Sequence, residues 1–313
     1  MNWLNNLSIR SKLLLLTFPP TLLLVLVFGY RITLDYQQQN AMQELAQEVK
    51  FLSKIDPVIT ELQRERGRSS AYLSGDTDRT KSVVLEQQKK TDRAVFAMKQ
   101  ESLYGSNTNI GSVLSNLQPS RNAILERKVS SEAAIDYFNN TIDGLMKHTD
   151  KVVRSVGVAE ILRLINTYSA LSELTEKAGR ERAMGVAYIQ GNDYQAAKLA
   201  PVLRAQGQQD NCQAMVDTLL KPEEIAFWQE SLNSSENQNF IKLRDSLYAA
   251  ETLAGLTPEH WIDSATSRID RLTESKQKIL NDVLALALDL QHQAFVALWG
   301  KALVMLLVIL SGT

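Results

Sequence analysis

Apolar side chains recur at steps of three and four residues along most of the chain, from about residue 34 to residue 290. Positions at this spacing lie on one face of an α-helix, so the pattern indicates amphipathic helices. No stretch of the sequence keeps the alternation of apolar and polar residues that marks a half-buried strand. The predicted helices cover about 34–74, 77–104, 110–126, 130–156, 158–190, 193–219, 222–250 and 258–312.

The breaks between these helices fall at residues that stop or start helices. Three breaks begin with glycine followed by Asp, Ser or Asn, and two place proline before glutamate at a helix start, at Pro222 and Pro258. Glycine and proline are otherwise scarce, at 14 and 7 of 313 residues, in a composition rich in strong helix formers. The sequence therefore predicts an all-α fold, in which eight long helices form two up-down four-helix bundles set end to end.

The N-terminal segment has the pattern of a membrane-spanning helix. Eighteen uncharged residues from Leu13 to Tyr30 follow Arg10 and Lys12, and this length just reaches the spanning range. A cleaved signal peptide has a similar pattern, but this apolar run is longer than a usual signal core and no clear A-x-A cleavage site follows it. We therefore expect an uncleaved anchor whose basic flank stays in the cytoplasm.

The C-terminal segment, AFVALWGKALVMLLVILSGT, is apolar except for Lys301 and predicts a second transmembrane helix. The helix begins near Ala294, with the Lys301 ammonium reaching the membrane interface, or it begins at Ala302 and the sequence stops partway through it. In both cases we expect the segment to be truncated.

Two spans and a cytoplasmic N-terminus leave the intervening region outside the cytoplasm. The expected location is the inner membrane, with this region in the periplasm. The expected organisation is a cytoplasmic N-terminus at 1–12, a first transmembrane helix at 13–32, a periplasmic domain at 33–292 with bundles at about 33–156 and 157–292, and a second transmembrane helix at 294–313.

Charge and composition remove several classes of function. A formal net charge of −1 argues against a nucleic-acid partner, which selects a basic surface. The single cysteine, Cys212, excludes a disulfide or a cysteine-based zinc site within one chain, and the three histidines are far apart in the sequence. The sequence has neither a nucleophile–base pair at suggestive spacing nor a glycine-rich phosphate loop. We expect no enzymatic activity, no metal and no cofactor.

An internal repeat is the most informative feature of the sequence. Residues 64–75 and 180–191 both read R-E-R-x-x-x-x-A-Y-[LI]-x-G, at an offset of 116 residues, which indicates two similar bundles in one chain. Along the first copy the apolar stripe passes through Leu62 to Arg66, and the second copy places Arg182 at the same helical phase. Each copy therefore places one arginine where a core residue belongs.

The inward arginines have two interpretations. They form internal ion pairs, for which the candidate acids are Glu61, Glu65, Glu173 and Glu181, or they bind an anion. Small side chains on the same stretches leave room for a ligand, at positions that include Gly67, Ser69, Ser70, Ala183 and Gly185. A buried charge requires a counter-charge, and a guanidinium matches a planar oxyanion. Additional neutral donors are the hydroxyls of Ser69, Ser70, Tyr72 and Tyr188.

Residues 62–73, LQRERGRSSAYL, resemble the L-Q-x-E-R-G-x-S-x-x-Y-L signature of the NIT family, the nitrate- and nitrite-sensing domains of bacterial transmembrane receptors such as methyl-accepting chemotaxis proteins. A later segment resembles that family's W-x(n)-T-x-R-I-x-x-L pattern through Trp261, Thr266, Arg268, Ile269 and Leu272. The likeness covers about residues 50 to 280.

The resemblance implies that nitrate or nitrite binds near the junction of the two bundles, through arginines of the motif helices. The second copy departs from the signature, with Ala183 for the glycine and Met184 for the third arginine. Arg66 is the motif arginine carried over by position. Together with the hydroxyl donors above, the expected ligand-binding residues are Arg66, Arg182, Arg64, Arg68, Arg180, Ser69 and Ser70.

The resemblance also implies a homodimer that signals through its membrane-proximal helices. Cytoplasmic chemotaxis or kinase components would be reached only through an output region. Heptad-like spacing near the C-terminus fits either a dimer contact or packing within the bundle, at Leu272, Ile279, Val283, Leu286 and Leu290. Two alternatives stay open: the same fold with another ligand, such as an organic acid or amino acid, and a ligand-free structural membrane protein.

Overall fold

The computed structural model describes residues 8–75, 78–106, 108–191, 196–249 and 255–311, and these ranges are helical apart from short connections. The predicted all-α fold is confirmed. The helices are α1 Ile9–Ser74, α2 Asp78–Lys99, α3 Ser102–Ser106, α4 Thr108–Leu114, α5 Leu117–Leu125, α6 Ser131–Ser155, α7 Ala159–Gly191, α8 Ala196–Leu219, α9 Pro222–Leu232, α10 Ser235–Ala249 and α11 Pro258–Ser311.

Three of the predicted helices are interrupted in the structure, and the one predicted over 77–104 is divided at 100–101 into α2 and α3. The segment predicted over 110–126 forms α4 and α5, with a turn at Ser115. The segment predicted over 222–250 forms α9 and α10, because the chain turns and the Ser234 hydroxyl then accepts the N–H of Asn237 at the start of α10. Short polar side chains compete with the helix for backbone hydrogen bonds. The spacing of apolar residues does not show this competition, so it did not predict these breaks.

Two four-helix bundles make up the compact unit at 48–284. In the first bundle, α1, α2, α6 and the segmented run α3–α5 enclose a core that includes Phe51, Met98 and Phe138. In the second, α7, α8, α10 and α11 enclose a core that includes Phe240 and Trp261. Burial of each large apolar side chain contributes about 1.5–3 kcal/mol, so the amphipathic pattern is the main source of stability.

The two bundles meet along α1 and α7. Tyr168 donates to Asp56 at 2.8 Å, and the Gln63 amide donates to Glu176 at 3.0 Å. Because the residue numbers rise together on the two helices, α1 and α7 run parallel along this contact. Lys276 of α11 lies in the same contact region between the bundles, with its ammonium 2.7 Å from Asp56. This contact region is called the seam below. The bundles thus contact each other through polar side chains of these helices, because each motif helix carries polar side chains that reach beyond its own bundle.

Three of the five heptad-like residues of α11 pack inside the chain, and Leu286 and Leu290 are partly exposed. Leu272, Ile279 and Val283 are at most 1% exposed, so this face is covered by the second bundle and its surroundings in a single protomer. Of the two interpretations that the spacing allows, packing within the bundle is the one found.

The second compact unit contains the described parts of 1–47 and 285–313. Most of its described large apolar side chains are exposed, with Phe18 61% and Trp299 60% exposed. Windows in α1 and α11, with mean hydropathies of 2.1 and 1.2, are long and apolar enough to cross a membrane. The Lys301 ammonium lies 2.8 and 2.9 Å from the two carboxylate oxygens of Asp35, so it has an ionic partner on α1.

Candidate functional site

Arg66 lies on α1 with its guanidinium fully buried at the seam between the bundles. Nη1 donates to Glu176 Oε1 at 2.6 Å and to Asn139 Oδ1 at 2.5 Å, and Nη2 donates to Glu176 Oε2 at 3.2 Å. The guanidinium and the carboxylate therefore meet fork to fork. Burial opposes ionisation of Glu176, but Arg66 and then Arg180 outweigh it and lower the Glu176 pKa. The charge of Arg66 is thus balanced inside the protein.

Arg182, the repeat equivalent of Arg66, is also buried but has no carboxylate partner in the described part of the chain. Nη1 donates to the Thr266 hydroxyl at 2.8 Å, Nη2 donates to the Gln63 carbonyl at 3.0 Å, and Nε has no partner among the same residues. Burial, and then repulsion by Arg66, lower the pKa of Arg182 to about 10. Such a shift corresponds to about 3 kcal/mol against the charged form. The charge of Asp270, which pairs with Arg64, opposes part of this shift. Among the described residues, Arg182 is therefore a buried cation without a carboxylate in direct contact.

The first arginine of each motif pairs with an aspartate from the other bundle. Arg64 donates to Asp270 on α11 at 2.8 Å, and Arg180 donates to Asp143 on α6 at 2.6 Å. Both arginines are half-buried, as expected from a helical phase that turns them toward a neighbouring helix. These two side chains form ion pairs between the bundles, so their charges are balanced by the two aspartates.

The glutamates proposed from the sequence have other partners than Arg66 and Arg182. Glu61 pairs with Arg64 at 2.7 Å, and Glu65 turns into the first bundle to pair with Arg121 at 2.7 Å. Glu173 pairs with Lys177, and Glu181 accepts from Gln209 in the second bundle. The sequence reasoning missed Glu176. Its i,i+4 spacing to Arg180 is a visible signal, but its reach to Arg66 depends on how α7 packs against α1.

Glycines allow side chains to pack closely at the seam. A Cβ atom at Gly179 would lie 2.6 Å from Arg66 Nη2, and one at Gly67 would lie 3.2 Å from Arg182 Nη2. A Cβ at Gly185 would lie 2.3 Å from the indole of Trp261, whose Nε1 donates to the Arg182 carbonyl at 3.0 Å. The space beside Gly67 and Gly185 is therefore filled by protein side chains, which corrects the expectation that these small residues leave room for a ligand.

The remaining predicted ligand residues are divided between the seam and the first bundle. Arg68 is half-buried, and its charge helps to lower the pKa of Arg182 after burial and nearer charges. Ser69 Oγ is buried and has no partner within the described ranges. Ser70 Oγ lies 2.8 Å from Ser131 Oγ, and the Tyr72 hydroxyl donates to a backbone carbonyl at 3.0 Å, so these two groups are used inside the first bundle.

An open cavity of about 260 Å³ lies between α6 and α7. Side chains of both charges line it, including Asp143, Lys147, Asp150, Glu173 and Lys177. Neither inner arginine of the two motifs lines this cavity, which lies beside Asp143, the partner of Arg180.

The region that matches a known protein family contains the seam and most of both bundles. A family model described as nitrate and nitrite sensing matches residues 57–284, a range that contains both motif copies and the Trp261 segment. The chain belongs to this nitrate- and nitrite-sensing (NIT) family. The family that the L-Q-x-E-R-G-x-S-x-x-Y-L signature predicted is thus confirmed.

Two relatives of this NIT chain are regulatory proteins. The nitrate regulatory protein of Klebsiella oxytoca is 22% identical over 259 residues, which cover 79% of this chain and 65% of that protein. The structure of the NasR transcription antiterminator superposes with a TM-score of 0.67 at 20% identity, covering 90% of this chain and 82% of the other. The second likeness shows that the NIT fold is shared. Neither relative is described as a receptor, so these likenesses do not test the expected receptor role.

Proposed function

We propose that this NIT chain is a non-enzymatic sensor that binds nitrate or nitrite at the seam, with Arg182 as the principal ligand residue. The observation that carries the proposal is the buried Arg182 guanidinium without a carboxylate partner among the described residues. A guanidinium has five N–H donors, and the bonds to Thr266 and Gln63 leave donors for a ligand. A planar monovalent oxyanion supplies the missing charge and accepts parallel hydrogen bonds.

We also propose that α1 and α11 cross the inner membrane and hold the bundles in the periplasm. The support is the run of exposed large apolar side chains on both helices, at positions between Leu13 and Tyr36 and between Phe295 and Leu310. Soluble monomers rarely expose large contiguous apolar patches. The same two helices contain seam residues, Arg66 on α1 and Lys276 on α11. Anion binding at the seam would therefore act on the membrane-proximal helices, and through them on cytoplasmic chemotaxis or kinase components. A homodimer belongs to this proposal and would use a surface other than the buried face of α11.

Binding can be measured by titration calorimetry on the full chain in detergent, with nitrate, nitrite, chloride, sulfate, formate and acetate. We expect saturable binding of nitrate or nitrite, and a loss of at least about tenfold in affinity for Arg182→Met, or about 1.4 kcal/mol or more. Arg204→Met, at an exposed position on α8, is the control and should bind like the parent chain.

Stability without ligand provides a second readout for Arg182→Met. Removing an arginine from an internal ion pair leaves a buried charge and destabilises by about 3–5 kcal/mol. Because Arg182 has no such partner, we expect the variant to be as stable as the parent or more stable. A large loss of stability would support the structural interpretation of Arg182. Binding of carboxylates without nitrate or nitrite would support the same fold with another ligand.

A further inference from the structure

The seam has an approximate two-fold symmetry that relates α1 to α7 and α6 to α11. Arg66 donates to Asn139 on α6, and its equivalent Arg182 donates to Thr266, which lies 127 positions later on α11. Each arginine also lies against the residue three positions before the other one, namely Gly179 and Gln63. The two inner arginines are thus held in matching ways.

The outer arginines follow the same symmetry. Arg180 pairs with Asp143, and Arg64 pairs with Asp270, which is again 127 positions later. Each aspartate lies four residues after the group that accepts from the inner arginine, so one turn of α6 matches one turn of α11. The symmetry therefore extends to four helices and to both arginines of each motif.

Several positions break this symmetry, since the equivalents of Asp56 and Lys276 are Ser172 and Thr149, and Glu176 is the one that changes the surroundings of Arg66. Glu176 binds Arg66, and its equivalent 116 positions earlier is Thr60, a neutral and buried side chain. The Thr60 hydroxyl accepts from Lys276 at 3.4 Å, and Lys276 is already paired with Asp56. As a result, Arg66 has a carboxylate at this place, whereas the equivalent place beside Arg182 has none.

The contacts of Glu176 are those of a bound anion. Its carboxylate is fully buried and accepts from both Nη atoms of Arg66, from Arg180 Nε at 2.7 Å and from the Gln63 amide at 3.0 Å. A carboxylate and a nitrate ion are both planar, and both offer two oxygens to a guanidinium. The Glu176 side chain therefore supplies to Arg66 the negative charge and the acceptor oxygens that a diffusible oxyanion would supply.

We propose that the seam contains two equivalent anion positions, that Glu176 fills one as a tethered anion, and that the position beside Arg182 takes a single diffusible oxyanion. The inference rests on the proposed function and deepens it, because it assigns the number of ligands and the side of the seam that binds. It also makes Glu176 the residue that sets the binding stoichiometry, since the tethered carboxylate keeps a second ion away.

The first test restores the symmetry with Glu176→Thr, which places at 176 the residue found at 60. The full chain is titrated calorimetrically with sodium nitrate in detergent, and far-ultraviolet circular dichroism follows the folded fraction. We expect one nitrate per parent chain and two per Glu176→Thr chain. The matched control is Glu173→Thr, one turn earlier on α7 and paired with Lys177, which should bind one.

An unchanged stoichiometry in folded Glu176→Thr would overturn the proposal. If this variant is poorly folded because Arg66 has lost its partner, the readout is the recovery of helical signal when nitrate or formate is added. Recovery supports two anion positions, because only an anion that replaces the carboxylate restores the balance of charge. Failure of both anions to restore the fold counts against it.

The second test places a carboxylate of the protein itself at the proposed anion position beside Arg182. Thr60→Glu should supply the carboxylate that Arg182 lacks and weaken nitrate binding by at least about tenfold. Thr60→Gln has the same shape without the charge and should retain binding. Equal binding by the two variants would show that position 60 does not face the anion position.

These tests separate the inference from the proposed function. If the parent chain binds no nitrate or nitrite but Glu176→Thr gains an anion, the tethered-anion assignment stands and the sensing proposal fails. If the parent chain binds nitrate and Glu176→Thr gains nothing, the sensing proposal stands and the tethered-anion assignment fails.

Discussion

At the scale of single residues, the two copies of one motif have different electrostatic environments. Arg66 and Arg182 share a helical phase and a repeat position, yet Arg66 binds Glu176 and Arg182 binds only neutral groups among the described residues. The first motif copy matches the family signature better, so sequence alone favours Arg66 as the ligand residue. The structure favours Arg182, because a compensated guanidinium has little to gain from an added anion.

Gly185 is the residue at which we expect a single methyl group to matter most. The Cβ of Gly185→Ala would lie 2.3 Å from the Trp261 indole, which is fully buried and cannot move away. Overpacking of this kind destabilises by about 1–3 kcal/mol. The measurement is the midpoint of urea unfolding followed by circular dichroism.

Gly207→Ala is the control for this substitution. Gly207 lies inside α8 with no atom within 4 Å of its added Cβ, so the alanine should be neutral or stabilise by up to about 1 kcal/mol. Equal stability of the two variants would mean that the indole does not pack on Gly185 as the structure describes.

At the scale of secondary-structure elements, ion pairs fix the places where helices begin and end. Arg163, near the start of α7, donates to Glu160 at 2.7 Å, to Glu224 at 2.8 Å and to the carbonyl of Leu219 at the end of α8 at 2.9 Å. Glu224 also accepts the backbone N–H of Lys221 at 2.8 Å, which caps α9. One arginine therefore connects the ends of three helices.

This connection should make part of the stability depend on acid pH. Hydrogen bonds from Arg163 and then Lys221 lower the pKa of Glu160 to about 2 from an ordinary value of 4.5. The contribution is therefore complete above about pH 4.5 and is lost as the pH falls toward 2. Because Glu160 is partly exposed, we expect it to be at most about 1 kcal/mol.

Urea unfolding midpoints at pH 7 and pH 3 measure this effect. Glu160→Gln should be less stable than the parent at pH 7 and should lose less stability on acidification. Glu223→Gln, at an exposed neighbouring position on α9, is the control and should follow the parent chain. An identical pH response of the parent and Glu160→Gln would exclude the Glu160 contribution.

At the scale of the whole molecule, two compact units share two long helices. The unit at 48–284 buries its apolar residues, and the described part of the other unit exposes them. Exposed leucines in water would favour aggregation. In a bilayer the same apolar side chains would contact the hydrocarbon core of the membrane. The contrast between the units is what supports insertion of α1 and α11 into a membrane.

Topology can be tested with single cysteines in a Cys212→Ser background and a membrane-impermeant maleimide. Ser235→Cys, exposed at the start of α10, should be labelled in intact cells, because we place the bundles in the periplasm. Ser8→Cys, exposed before Arg10 and Lys12, should be labelled only after lysis, because basic flanks stay in the cytoplasm. The reverse pattern would invert the proposed orientation, and equal labelling of both positions in intact cells would argue against a span between them.

Local sequence patterns were sufficient for the fold class and for the family. Apolar spacing, glycine stops and proline starts act within one or two turns, so the helices were predicted to within a few residues except at the breaks at 100–101, Ser115 and Ser234. Short polar side chains that bond to the backbone favour the breaks at Ser115 and Ser234. The R-E-R repeat and its phase were likewise visible without a structure, because helical geometry alone decides which side chains share a face.

Contacts between helices decided the rest. The pairing of Arg66 with Glu176 and the bonds of Arg182 to neutral groups each involve residues more than 80 positions apart. Among the described residues, no carboxylate contacts the Arg182 guanidinium. The motif spacing is the same in both copies, so it could not show that one arginine is neutralised and the other is not. That difference arises where α7 has Glu176 and the equivalent residue of α1 is Thr60, and a buried charge depends on the partner that packing brings to it.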